Sequence, residues 1–297
     1  MKTYFLVLIF ILLIFPASAQ QRQGISNDDL IGLLSGADPA RPNRGSVPGY
    51  SRKKGRPVVF IIGDSTVKNG RGDGSNQQWG WGSFLWQFFD TTKVTIENHA
   101  LGGRSSRTFI EEGLWKAVIS AVRHGDFVLV QFGHNDAGPL NTGRARAVLR
   151  GNGDQDTTVV MEADGRIATI HSFGWYMRKY ANEVRAKKAT PILLSHIPRN
   201  QWITSDSLLV RRNEESFGSW TRDAAKKSKA YFIDLNARVA DKYDQLGKDV
   251  VPRFFYGDHT HTSKEGALLN AFTVAEGIRE LKTCKLKRYL KPLKKQS

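Results

Sequence analysis

The sequence predicts an α/β protein, a three-layer α/β/α sandwich built on a five-stranded parallel sheet. Three observations predict it. Five short apolar runs alternate along the chain with longer segments of helical period. The runs are apolar throughout rather than at every second residue, as strands buried on both faces are. The first and third runs each end in a polar, glycine-containing cluster, and sites in such sheets lie at the carboxyl ends of the strands.

The first run, 58–62, ends in Gly63-Asp64-Ser65-Thr66. An amphipathic helix is expected over 84–89, begun after Gly82, and a second strand at 94–96. A helix over 114–122 leads to the third strand, 127–132, which ends in Gly133-His134-Asn135-Asp136. Residues 137–171 break the alternation. They are rich in Gly, Asn and Arg, and 157–161 can pair with 167–170 as a hairpin across Asp164-Gly165. This reads as an excursion beside the site, not a domain. A helix over 173–188, a strand at 191–195, a helix over 216–229, a strand at 231–235 and a helix over 263–282 complete the pattern. The last helix begins at Thr262-Ser263-Lys264-Glu265, a capping-box pattern. Five strands so arranged suggest a flavodoxin-like order.

Composition narrows the classes. With 40% hydrophobic residues in 297, the chain is no disordered polymer. A single cysteine, Cys284, excludes an internal disulfide framework and a multi-cysteine zinc site, and its lysine-rich flank suggests no catalytic partner. Residues 1–19 read as a secretory signal peptide: Lys2, an uncharged run over 4–15, Pro16, then Ala17-Ser18-Ala19. Cleavage is expected after Ala19, giving a secreted or periplasmic protein with no membrane attachment; an uncleaved anchor is the alternative. Residues 20–56 read as an N-terminal extension or linker with one possible short helix near 30–34. The catalytic domain is expected over 57–283, and 284–297 reads as a solvated basic tail. The net charge of +16 favours an acidic partner. No nucleic-acid partner is expected, since a secretory signal and the absence of a nucleic-acid motif argue against one. A monomer is expected.

Four clusters carry possible chemistry. Ser65 follows a strand directly, where a nucleophile is exposed and its own N–H can face an oxyanion. Asp64 can hydrogen-bond turn amides. Asn98 to Ser105 include Gly102-Gly103, which permit close backbone approach to a substrate; an ordinary turn is the plainer reading. Asn135 offers an amide donor or an Asx turn, and His134 reads as a supporting residue. Asp258 and His261 stand three apart in a loop, so the carboxylate can orient the imidazole towards a serine. His259 with His261 is also a possible metal pair, but no ligand-spacing motif accompanies it. Each signal is modest; their order along one sheet edge is specific.

These blocks resemble the SGNH, or GDSL-like, hydrolase superfamily, through Ser65 in Gly-Asp-Ser-Thr, Gly103 in Gly-Gly-Arg-Ser, Asn135 in Gly-His-Asn-Asp and His261 in Asp-His-Thr-His. Trp79-Gly80-Trp81-Gly82, residues 132–136, Phe173-Gly174-Trp175-Tyr176 and Pro198-Arg199-Asn200 look like rhamnogalacturonan acetylesterases, over roughly 57–283. The resemblance implies an SGNH hydrolase fold and a secreted serine esterase that deacetylates galacturonic acid residues of rhamnogalacturonan I, an acidic pectic polysaccharide. It implies Ser65 as nucleophile, His261 as base and Asp258 as its orienter. The N–H groups of Ser65 and Gly103 and the Asn135 amide would form the oxyanion hole. No metal or organic cofactor is implied. Trp79 and Trp81 are candidates for stacking on a sugar. Arg104, Arg107, Arg144, Arg146, Arg150 and Arg199 are candidates for binding uronate. Alternatives are an acetylesterase on another polysaccharide such as xylan, a general esterase of the same superfamily, or a non-catalytic polysaccharide-binding protein.

Overall fold

The computed structural model describes residues 47–69, 76–213 and 215–292. The signal segment 1–19, the short helix near 30–34 and most of the extension lie outside the described residues, as do 293–297.

Five strands form one parallel sheet: β1 (Val58–Gly63), β2 (Thr95–Asn98), β3 (Phe127–Gln131), β6 (Thr190–Leu194) and β7 (Tyr231–Ile233). Their order is β2-β1-β3-β6-β7, the flavodoxin-like arrangement. The apolar runs are explained by two cores. Val59 and Ile61 point to one face and Val58, Phe60 and Ile62 to the other, all fully buried. Helices cover both faces. α1 (Thr108–Glu111), α2 (Leu114–Ala121), α3 (Phe173–Ala186) and α4 (Phe217–Lys227) serve the second core, through residues such as Phe109, Trp115, Met177 and Ala224. α5 (Leu235–Leu246) and α6 (Lys264–Glu280) serve the first, through Val239, Leu268 and Val274. The excursion holds an antiparallel hairpin, β4 (Asp156–Val160) with β5 (Ile167–His171), in the expected place.

Four expectations change. The helix expected over 84–89 is a pair of 3-10 turns, Trp81–Ser83 and Leu85–Phe88. The N–H groups of Trp81 and Gly82 bond the carbonyls of Thr66 and Val67, so they are spent on the turn after β1 instead of on a helix. A side chain at Gly80 would put its Cβ 2.2 Å from the Val67 carbonyl carbon, so only glycine allows this contact. α5 was not expected; Asp234 caps it, accepting from Ala237 N–H at 3.3 Å. The cap of α6 is Ser263, which accepts from Gly266 N–H, while Thr262 donates to the Trp79 carbonyl at 2.7 Å.

The fourth change is at the ends. Residues 285–291 are not a free tail. Cys284 and Leu286 are fully buried, Asp90 N–H bonds the Tyr289 carbonyl at 2.8 Å, and Lys291 N–H bonds the Phe88 carbonyl at 2.9 Å. Leu286, Tyr289 and Leu290, spaced among the lysines, supply the apolar contacts that dock the segment. Residues 47–56 are fastened as well: Glu97 accepts the N–H groups of Gly49 and Ser51, and Asp126 takes the Arg52 guanidinium.

Candidate active site

The carboxyl ends of β1, β2 and β3 lie side by side, so the loops that follow them meet. The strand register continues beyond β2: His99 and Leu101 N–H groups bond the carbonyls of Ile61 and Gly63. Asn98 ties the same loop to the turn after β1, its amide donating to the Val67 carbonyl at 3.1 Å. Gly103 therefore sits on a loop anchored beside Ser65, in the left-handed region at φ 80°.

Ser65 is 8% exposed, in a turn held by Asp64, whose Oδ1 accepts from the Thr66 N–H (2.9 Å) and hydroxyl (2.7 Å). A buried chain braces that turn from below. Trp81 Nε1 donates to Gln131 Oε1, and Gln131 Nε2 donates to the Thr66 hydroxyl, each at 2.8 Å. Burial raises the Asp64 carboxyl to about 6 against the lowering effect of its Thr66 bonds.

From the other end of the chain, the loop before α6 brings His261 Nε2 to 2.9 Å from Ser65 Oγ. His261 Nδ1 lies 2.6 Å from Asp258 Oδ2, and Asp258 Oδ1 accepts the N–H groups of Thr260 and His261 at 2.7 Å each. Burial pushes the Asp258 carboxyl up, but the bonds from the His261 ring, the His261 N–H and the Thr260 N–H outweigh it and hold it below the usual range. A serine hydroxyl, an imidazole and a carboxylate in this sequence can move a proton off the serine. Both His261 ring nitrogens are engaged. Among the described residues no three His, Cys, Asp or Glu side chains converge as a metal site.

Asn135 Nδ2 donates one hydrogen to the Arg104 carbonyl at 3.0 Å, leaving its second hydrogen uncommitted by that bond. Arg146 donates to the Gly103 carbonyl at 3.0 Å, fixing the peptide on that loop. Beneath Asn135, Asp136 is fully buried, and Ser106 donates to it from its N–H at 2.9 Å. Burial raises this carboxyl to about 7.

The candidate sugar contacts separate. Trp81 is fully buried with its N–H spent on Gln131, so it cannot stack on a substrate; it is a core residue. Trp79 is partly buried and packs its ring on Phe84 at 5.4 Å. Arg104 is tied to Glu112 (2.9 Å) and the Gly102 carbonyl, and Arg107 is fully buried under the 140–145 loop. Arg144 and Arg150 are exposed, and Arg199 is half-buried. The sequence reading gave no role to His196, Arg211 or Asn213, which lie close to His134. No local motif marks them; only the return of β6 beside β3 brings them there.

The sequence model of the GDSL-like lipase/acylhydrolase family matches residues 61–269. The chain belongs to that family. This GDSL-like acylhydrolase is a carboxylic ester hydrolase. It is 31% identical over 210 residues to a rhamnogalacturonan acetylesterase of Emericella nidulans, across 71% of this chain and 80% of that one. It is 30% identical over 240 residues to the rhamnogalacturonan acetylesterase RhgT of Bacillus subtilis, across 75% and 90%. In structure it resembles the Bacillus subtilis YxiM protein (TM-score 0.61, 25% identity, 75% of this chain and 56% of that one). It shares its fold with the acetylxylan esterase Axe2 of Geobacillus stearothermophilus (TM-score 0.51, 18% identity, 76% and 96%).

Proposed function

We propose that this acylhydrolase is a secreted serine esterase that removes acetyl groups from galacturonic acid residues of rhamnogalacturonan I. The observation that carries the mechanism is the continuous path Ser65–His261–Asp258, with contacts of 2.9 and 2.6 Å. The substrate class rests on the two rhamnogalacturonan acetylesterases that the chain resembles over most of its length. The net charge of +16 agrees with a polyuronate substrate.

His261 accepts the Ser65 proton as Oγ attacks the acetyl carbonyl, and the carbonyl π electrons move onto oxygen. The N–H groups of Ser65 and Gly103 and the free Asn135 hydrogen stabilise that oxyanion, each by about 3–4 kcal/mol in the transition state. The tetrahedral centre collapses, and the sugar oxygen leaves with the proton from His261. Water, deprotonated by the same imidazole, then attacks the acetyl-Ser65 carbonyl; the second tetrahedral centre collapses, Ser65 Oγ leaves and takes that proton back from His261, and acetic acid is released and ionises to acetate. Asp258 holds Nδ1 protonated throughout and balances the imidazolium.

The test is acetate release from acetylated rhamnogalacturonan I, acetylated homogalacturonan and acetylated xylan, by wild type and Ser65→Ala. Release mainly from the first, abolished by the substitution, is expected. Release from xylan alone would keep the mechanism and overturn the substrate. No release from any of the three polymers would overturn the polysaccharide substrate while leaving the ester hydrolase family in place.

A further inference from the structure

A polar cavity of ≈ 200 Å³ is lined among others by Gly133, His134, Arg150, His196, Arg199 and Arg211. Gly133 and His134 precede Asn135 on the loop after β3, which ties the cavity to the loop of the reacting centre. Asn200 N–H bonds the His259 carbonyl at 2.8 Å, which joins its wall to the loop carrying Asp258 and His261. The volume equals about seven waters at roughly 30 Å³ each, room for one sugar unit and no large apolar group.

Its described lining is basic. Among the described residues no carboxylate lines it, and three guanidinium groups do. Arg150 is steadied over the Trp220 ring at 5.5 Å, and Arg211 by its own N–H on the Gln201 carbonyl at 2.7 Å. Arg199 Nε is buried without a protein acceptor. The floor is a crossed pair of imidazoles, His134 and His196, with centroids 4.6 Å apart. Asn213 donates its amide to His196 Nε2, so the neutral ring carries its proton on Nδ1, and that buried donor has no acceptor. Both His134 nitrogens are also buried and unmatched. Gly133, at φ 142°, lets this pair close up, since a Cβ there would lie 2.4 Å from His196 Nδ1. Burial holds both imidazoles well below their ordinary range, with the nearby Arg199 adding to it, so the floor adds no charge of its own. Buried donors that the protein leaves unmatched are costly and call for an acceptor. A planar anion with two oxygens fits a guanidinium fork.

We propose that this cavity is a carboxylate subsite, in which Arg199, with Arg150 and Arg211 at the rim, binds the uronate group of the acetylated sugar or of its neighbour in the polymer. The assignment rests on the pectic reading above and selects which arginines carry it. Arg104 and Arg107 are set aside because neither lines the cavity, Arg104 being tied to Glu112 and Arg107 buried beneath the 140–145 loop.

The experiment compares an acetylated galacturonate oligosaccharide with the same oligosaccharide after reduction of its carboxyl groups. Acetate release is measured for wild type, Arg199→Gln, Arg150→Gln and Lys116→Gln, the last removing one exposed charge on α2. Wild type and Lys116→Gln are expected to favour the uronate form in kcat/KM by about tenfold or more, the scale of a charge-assisted hydrogen bond. Arg199→Gln is expected to lose most of that preference, mainly through KM, and Arg150→Gln part of it. Equal rates of wild type on both forms, or a preference retained in Arg199→Gln, would overturn the subsite. If wild type releases acetate from neither, the pectic reading fails, and inhibition of para-nitrophenyl acetate hydrolysis decides the subsite separately. Inhibition by galacturonate but not galactose, weakened in Arg199→Gln, supports it; no inhibition refutes it.

Discussion

Replacing Asp258 by asparagine should cost more activity than replacing it by alanine. The reason lies in how the carboxylate is shared. Oδ1 accepts two backbone N–H groups at 2.7 Å, and Oδ2 accepts from His261 Nδ1 at 2.6 Å. A carboxamide has one acceptor and one donor end. With its oxygen in the Oδ1 position both backbone bonds survive, and the NH2 faces His261. The reverse orientation forfeits both, each worth about 0.5–1.5 kcal/mol, which biases the amide by about 2 kcal/mol or roughly thirtyfold. In the favoured orientation Nδ1 must accept, so the ring proton moves to Nε2, facing Ser65, and the imidazole cannot act as base. Only about 3% of molecules then hold the productive tautomer. These also lack the carboxylate that stabilises the imidazolium, so kcat should fall about 10³–10⁴-fold. Alanine leaves the ring free to choose its tautomer and loses only charge and orientation. The assay is kcat/KM on para-nitrophenyl acetate at neutral pH for the three proteins, with thermal melts to check folding. If asparagine equals or exceeds alanine, the reasoning about amide orientation is wrong.

Gln131→Leu should lower stability by about 2–4 kcal/mol, because it strands the buried Trp81 N–H and removes a donor from Thr66; the urea midpoint should fall by about 1 M. Deleting residues 284–297 should cost about 3–5 kcal/mol, since Cys284 and Leu286 are fully buried, and an unchanged melting temperature would show the docked segment to be idle. Asp64 and Asp136 titrate at about 6 and about 7 in the folded protein, above the ordinary 3.8, so folding holds protons that the unfolded chain releases. Their contribution to stability is therefore full below about pH 4 and is lost as pH rises through 6 and 7. Urea titrations at several pH values should show this fall, and Asp136→Asn should flatten it.

The sheet was legible because each strand is buried on both faces and so must be apolar throughout, as Val58 to Ile62 and Phe127 to Val130 are. The pairing of Ser65 with His261 was legible from separate clusters because the strand order puts their loops on one edge. What sequence concealed depends on distant contacts. Trp81 looks like a sugar platform until the buried amide of Gln131 is seen to claim its N–H. The 81–88 segment has helical spacing, yet its N–H groups are drawn to Thr66 and Val67. Arg211 and His196 belong to no motif and meet only through β6 and its following loop. α5 went unread although Leu235, Val239 and Tyr243 share one face, because Leu235 reads as the end of the apolar strand before it.

The fastening of segments 47–56 and 285–291 gives the described domain a front and a back. Arg56 and Pro57 share one groove with Arg288 and Tyr289, at the edge where the parallel strands begin. Ser65 lies past the other end of β1, about 20 Å away for six residues of strand. The nearness of Arg56 and Tyr289 also makes the domain a suitable substrate for circular permutation: joining residues near 56 and 289 and opening the hairpin turn at Asp164-Gly165 should move the termini without disturbing the sheet.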